Sequence, residues 1–151
     1  MQWQASMVLN GTKLDSKPGA LLSTNIGNST RPGNFSLNTG SIWDLDIANG
    51  TLTGADVVNV NNGSAALNGG TLNISHILGY TPSVGDEVTI LRDVNNGVTL
   101  GSVTVSDPLW APIVAASGTE IHLVRVPEPS SVLLIGLGLA MLSATRRTSR
   151  K

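Results

Sequence analysis

A short motif recurs along this chain at an interval that limits the folds open to it. Residues 37–42 and 67–72 both fit the pattern L-N-x-G-[ST]-[IL], 30 residues apart, and residues 9–12 are a partial copy that starts 28 residues earlier. Gly and Asn tolerate the positive φ of a tight corner, after which a strand begins. A loose repeat of this length with short strands favours a parallel β-helix or related β-solenoid. An antiparallel β-sandwich uses the same turns and is the alternative.

Between the corners, apolar and polar residues alternate with the period of a half-buried strand. The alternation predicts strands at residues 43–47, 58–60, 72–74, 103–105 and 121–123. The predicted inward-facing residues are Trp43, Leu45, Ile47, Leu72 and Ile74, and the predicted outward-facing ones are Asp44, Asp46 and Asn73. Residues 88–91 are more continuously apolar, so we expect a strand that is covered on both sides.

Composition indicates one β-rich domain over residues 1–126 and argues against several classes of function. Gly, Asn, Ser and Thr are abundant, which suits short strands and tight turns. This part of the chain holds five cations and nine acids, a net charge of −4 without a basic patch, so nucleic-acid binding is not expected. The chain has no cysteine and therefore no disulfide or thiolate site.

Few residues are suited to catalysis or metal binding. The two histidines, His76 and His122, lie in strand-like stretches without a neighbouring catalytic motif, and we expect both to be exposed strand residues. Asp44 and Asp46, followed by Asn49-Gly50, miss the EF-hand spacing by one residue. We therefore expect no enzymatic activity, no cofactor and no metal site.

The last 25 residues combine three features of a membrane anchor. Two prolines at 127–129 exclude a helix or central strand, residues 132–144 form an uncharged apolar run, and residues 146–151 are basic. We predict a transmembrane helix over residues 130–145, whose 16 residues span about 24 Å of a hydrocarbon core that is about 30 Å thick. The arginines beyond it can snorkel to cover the shortfall. The positive flank places the C-terminus in the cytoplasm and the domain outside; it consists of Arg146, Arg147, Arg150 and Lys151.

This order of motif, span and basic tail resembles the PEP-CTERM sorting signal of exopolysaccharide-producing Gram-negative bacteria, also labelled the ice-binding protein C-terminal domain. The resemblance implies processing by exosortase, a membrane protease-transpeptidase that cuts near the sorting motif. It also implies inner-membrane anchoring followed by release to the cell surface, with exopolysaccharide as a further candidate partner. The motif residues are Pro127, Glu128 and Pro129. Since residues 1–10 lack the features of a signal sequence, we expect the domain to be truncated at its N-terminus.

A second resemblance covers residues 79–91. Their sequence is similar to the Y-T-P-x-x-G-D-x-[FV]-x-I-[IL] segment that closes autotransporter-like β-helical domains. Physically, its Thr-Pro and Gly-Asp pairs are turn signals that lead into a buried strand. The resemblance supports the β-helix and implies no chemistry.

Two functions follow as hypotheses. The first is a non-enzymatic cell-envelope or extracellular-matrix protein that exosortase sorts through its C-terminal motif. The alternative is a polysaccharide- or surface-binding module, adhesin-like or ice-binding, whose ligand site lies mostly upstream. A single Thr-x-Thr unit, residues 51–53, does not recur on each predicted coil, which argues against ice binding.

Overall fold

The computed structural model describes residues 6–15, 21–27 and 30–128, and the regular structure in these ranges consists of β-strands. The strands are β1 (Ser6–Leu9), β2 (Lys13–Asp15), β3 (Ser23–Ile26), β4 (Asn34–Leu37), β5 (Ile42–Ile47), β6 (Val57–Val60), β7 (Ala65–Leu67), β8 (Thr71–His76), β9 (Glu87–Asp93), β10 (Val98–Leu100), β11 (Thr104–Val105), β12 (Trp110–Val114) and β13 (Glu120–Arg125).

Each circuit of the chain adds one strand to each of three sheets. The first sheet has the order β1-β4-β7-β10, the second β2-β5-β8-β11, and the third begins β3-β6-β9. All of these neighbours pair in parallel. The domain is therefore a β-solenoid of about three turns, as the repeat predicted, and the β-sandwich alternative is wrong.

The repeat stacks its own copies above one another. Leu9 pairs with Leu37, and Leu37 pairs with Leu67, in successive strands of the first sheet, and all three side chains are buried. The glycines that follow, Gly40 and Gly70, have φ values of 83° and 81°, which is the corner conformation the motif predicted.

The two copies of the motif are out of register by one residue at their C-terminal ends. In the second sheet Trp43, not Ile42, pairs with Leu72, while Ile42 pairs with Thr71. The corner after Leu67 is one residue shorter than the corner after Leu37. As a result Ile42 is 40% exposed although the motif aligned it with the fully buried Leu72.

The predicted strand faces are confirmed with one exception. Trp43, Leu45, Ile47 and Leu72 are fully buried, Ile74 packs against the core from a partly buried position, and Asn73 is exposed. Asp44 is only partly exposed, because Lys13 forms an ion pair with it.

The exception is Asp46, which is 7% exposed rather than solvated. The loop after β5 folds back over it: the Asp56 N–H donates to the Asp46 carbonyl over 3.0 Å, and Ile47 forms an antiparallel bridge with Ala55. The alternation in the sequence locates the outer face of β5, but it does not show that a loop covers that face.

The third sheet ends in an antiparallel hairpin that was not predicted from the sequence. Strand β13 pairs antiparallel with β9, and β12 pairs antiparallel with β13. As predicted, residues 88–91 are covered on both sides, with exposures of 0–1%. The predicted strand at 103–105 is reduced to Thr104–Val105, and the one at 121–123 lies within β13.

Candidate functional site

Strand β13 leads directly into the Pro-Glu-Pro motif at residues 127–129. The Arg125 N–H donates to the Asp86 carbonyl over 2.8 Å, and the Arg125 carbonyl accepts from the Gly85 N–H over 2.9 Å. One residue later the Val126 N–H donates to the Leu109 carbonyl over 2.8 Å. These bonds fix the backbone up to the residue before Pro127.

The first two residues of the motif lie exposed beyond this point. Pro127 and Glu128 are both exposed coil, and a proline has no N–H with which to extend β13. Pro129, the predicted helix at 130–145 and the basic flank (Arg146, Arg147, Arg150 and Lys151) lie outside the described residues. Among the residues that the structure does describe, no helix is long and apolar enough to span a membrane.

Arg125 anchors the point at which the chain leaves the domain. Its Nη1 donates to Asp107 Oδ2 over 2.6 Å, and its guanidinium lies 5.7 Å from the centre of the Trp110 ring. Burial alone would raise the pKa of Asp107, but the Leu109 N–H and the Arg125 guanidinium outweigh it and lower that pKa. The exit is thus held by an ion pair, a cation–π contact and three backbone hydrogen bonds.

His76 belongs to the same region and is exposed, as predicted. Its Nε2 accepts a hydrogen bond of 3.2 Å from Trp110 Nε1, and its ring meets the Tyr80 ring edge-on at 5.7 Å. Partial burial lowers the pKa of His76; the Asp107 carboxylate opposes this shift, and the charge of Arg125 adds to it. The neutral His76 ring accepts the hydrogen bond of the Trp110 indole N–H and thereby orients Trp110.

The loop between β8 and β9, residues 77–86, forms the corner beside the exit, and we call it the corner loop. Asp86 Oδ2 accepts from the Tyr80 hydroxyl and, over 2.7 Å, from the Ser83 N–H. The Tyr80 hydroxyl and the Ser83 N–H lower the pKa of Asp86, while burial and the Asp86 carboxylate raise that of Tyr80. The loop is therefore fixed by its own side chains.

His122 is 6% exposed, so the expectation of an exposed histidine is wrong there. Its Nδ1 lies 2.5 Å from Glu87 Oε1 and its Nε2 lies 2.7 Å from Glu120 Oε2, and Arg92 Nε donates to Glu120 over 2.6 Å. Burial opposes protonation, but the two carboxylates outweigh it and raise the pKa of His122. With both ring nitrogens engaged, His122 clamps β13 to β9 and has no nitrogen left for a substrate or metal.

The remaining candidate groups are not brought together. Asp44 contacts Lys13 and accepts from Asn73 Nδ2 over 2.8 Å, whereas Asp46 lies under the loop after β5. Among the described residues, no group of three or more His, Asp and Glu side chains is arranged to hold a metal ion. Residues 51–53 lie exposed in a turn rather than on a flat sheet.

Comparison with known families bears on the tail of the chain. The family model described as the PEP-CTERM protein-sorting motif matches residues 125–151. The predicted resemblance is confirmed for this segment, and the match begins at Arg125, the residue that anchors the exit. No curated protein and no solved structure matches the chain. The autotransporter-like and ice-binding resemblances stay predictions.

Proposed function

We propose that this chain is an exported, non-enzymatic envelope or matrix protein that is anchored by residues 130–145 and then sorted by exosortase. The observation that carries the proposal is the family match over residues 125–151. The exposed position of Pro127 and Glu128, directly after the last backbone bond of the domain, supports it. A protease needs its substrate extended and accessible, and the two prolines favour such a conformation.

Anchoring and topology follow from the sequence of the tail. The apolar run at 132–144 enters the bilayer, and the cations at 146–151 stay in the cytoplasm. The solenoid then lies on the outer side of the inner membrane until cleavage releases it to the cell surface. The recognition residues are Pro127, Glu128 and Pro129, and Glu128 supplies a carboxylate for a cationic pocket in the enzyme.

The experiment changes the motif without changing the anchor. Replacement of Pro127, Glu128 and Pro129 by three alanines keeps the spacer length and the span, so the variant should stay uncleaved in the inner membrane of a host with the cognate exosortase. Glu128→Gln removes the charge and keeps both prolines, so it shows whether processing depends on the carboxylate. Val94→Ala, at an exposed position at the other end of β9, is the matched control and should be processed like the wild type. Equal masses and equal fractionation of all four chains would reject sorting by this motif.

Polysaccharide binding is the second candidate, and one surface feature favours it. A shallow cleft of about 430 Å³ crosses the corners between the first and second sheets. Its lining is neutral and polar: Thr39, Gly40, Asn68, Gly69, Gly70, Thr71, Ser102 and Thr104. Hydroxyl and amide groups of this kind can hydrogen-bond sugars. Retention on a column of the host's exopolysaccharide that is lost in Ser102→Ala/Thr104→Ala would support this role, and no retention of the wild type would exclude it.

A further inference from the structure

The corner loop exposes apolar side chains beside the point where the chain leaves the domain. Leu78 is 81% exposed and Val84 is 66% exposed. Val84 precedes Gly85, whose N–H donates to the Arg125 carbonyl over 2.9 Å. Residues 77–85 contain no Asp, Glu, Lys or Arg, and the one charged residue of the loop, Asp86, directs its carboxylate to Tyr80 and Ser83.

Leu78 combines this exposure with an unfavourable backbone conformation. Its φ is +55°, which is uncommon for any residue other than glycine. A glycine or asparagine at this corner would avoid both the steric cost and the exposed isobutyl group. Such an outlier is a reason to look for a function.

The corner loop is also held in place, so these side chains are presented on a fixed scaffold. Asp86 accepts from Tyr80 and Ser83, the Tyr80 N–H donates to the Ile77 carbonyl over 3.0 Å, and Gly85 is bonded to β13. Leu78 and Val84 consequently keep a defined place relative to Val126, the last fixed residue before the tail.

The length of chain between the domain and the apolar run brings this corner to the bilayer. Val132 begins the run, six residues after Val126, and six residues extend at most about 20 Å. The headgroup region takes up roughly 5–8 Å of that distance on each side of the membrane. The corner loop, which is bonded to β13 at the point where the chain leaves the domain, must then lie close to the lipid surface whenever the apolar run is inserted in the bilayer.

We propose that the corner loop is a membrane contact of the anchored protein, with Leu78 and Val84 seated among the lipid headgroups. Exposed apolar side chains beside an anchor are stabilised at the interface, where they leave water. The contact adds a second attachment point, which restricts the tilt of the solenoid and orients the sorting motif between domain and bilayer. This inference rests on the proposed anchoring, and its test separates the two.

The test uses single-cysteine labelling. Each label is specific to the introduced position because the chain has no cysteine of its own. Leu78→Cys and Val84→Cys are labelled with an environment-sensitive fluorophore in the full chain, reconstituted in nanodiscs of phosphatidylethanolamine and phosphatidylglycerol. Val94→Cys is the matched control: it is 60% exposed and lies just beyond the other end of β9, whose seven residues span about 20 Å. Ala140→Cys, within the apolar run, reports anchoring by itself.

Labels at 78 and 84 should be quenched several-fold more by lipids that carry a shallow nitroxide than the label at 94, and several-fold less by iodide in the buffer. Equal iodide quenching at 78, 84 and 94, together with quenching at 140 by a deep nitroxide, would overturn the membrane contact and leave the anchor intact. Iodide quenching at all four positions would overturn both. Protection at 78 and 84 that appears only when exosortase is added would assign the loop to the enzyme and also overturn the lipid contact.

Discussion

At the scale of single residues, Asp56 shows how one buried carboxylate joins two coils. Its side chain is fully buried; Oδ1 accepts from the Leu22 N–H over 2.5 Å and Oδ2 from the Asp46 N–H over 2.9 Å. A strand-like sequence pattern gives no sign of this role, because both partners are backbone groups that the fold brings together. The same loop covers Asp46, whose burial the pattern also failed to predict.

Asp56→Ala should destabilise the domain by about 2–4 kcal/mol, because the buried Asp46 N–H and the partly buried Leu22 N–H lose their acceptor. The control Asp44→Ala removes a partly exposed ion pair with Lys13 and should cost at most about 1 kcal/mol. Urea unfolding of both variants measures the difference. Equal free energies of unfolding would show that Asp56 does not hold the two backbone groups.

His122 makes stability depend on pH above neutrality. Its pKa is raised in the folded state relative to about 6.5 in an unfolded chain, so its contribution is complete below pH 6.5 and is lost as pH rises through the folded pKa. His76, whose pKa is lowered, titrates below pH 6.5 and does not contribute to this loss of stability.

We expect the free energy of unfolding to fall as pH rises from about 6.5 through the raised pKa of His122 in the wild type, and to vary less in His122→Gln, which retains hydrogen-bonding capacity without the titration. Denaturant melts of both chains across this range measure the effect. Parallel profiles would mean that the carboxylates of Glu87 and Glu120 do not hold a proton on His122.

At the scale of elements, the hairpin of β12 and β13 forms the end of the third sheet and leads into the Pro-Glu-Pro motif. A turn-rich stretch at 115–119 separates an apolar segment at 110–114 from the alternating segment at 120–125. That pattern is a hairpin signal, and it could have been recognised from the sequence. The alternation predicted a strand at 121–123 but not its antiparallel partner, the segment at 110–114.

Two arginines in neighbouring strands allow a matched test of the exit. The Arg125 side chain is 15% exposed in its pair with Asp107, whereas the Arg92 side chain is 41% exposed in its pair with Glu120. Arg125→Ala should cost about 1–3 kcal/mol, because it removes a largely buried guanidinium together with its contacts to Asp107 and Trp110. Arg92→Ala should cost less than about 1 kcal/mol, because Arg92 is more exposed and Glu120 keeps His122 as a partner.

Hydrogen exchange localises the same effect. The amides of Gly85 and Val126, which are bonded across the exit, should exchange faster in Arg125→Ala than in Arg92→Ala. Unchanged exchange at both amides in Arg125→Ala would show that the ion pair does not hold the exit in place.

At the scale of the whole molecule, the sequence carried more information about architecture than about contacts. The solenoid was predictable because the repeat at 37–42 and 67–72 and the alternation between corners are local patterns with known periods. Three features were not predictable, because they depend on packing between segments that are distant in sequence. They are the one-residue shift that exposes Ile42, the loop that covers Asp46, and the burial of His122. In the tail, the Pro-Glu-Pro motif was recognisable from its residue types and from its position before an apolar run and a basic end.

The part of the chain that the structure describes is a short solenoid whose last strand ends at Arg125, where the match to the PEP-CTERM protein-sorting motif begins. We propose that exosortase removes this tail near residues 127–129. The most direct measurement is the intact mass of the chain, expressed behind an export leader in a host with its exosortase and in the same host without it. With the enzyme, we predict a product that has lost the apolar run and basic tail and leaves the inner membrane. Without it, the chain should keep all residues through Lys151 and remain in the membrane fraction. The same mass and the same fraction in both hosts would contradict the account.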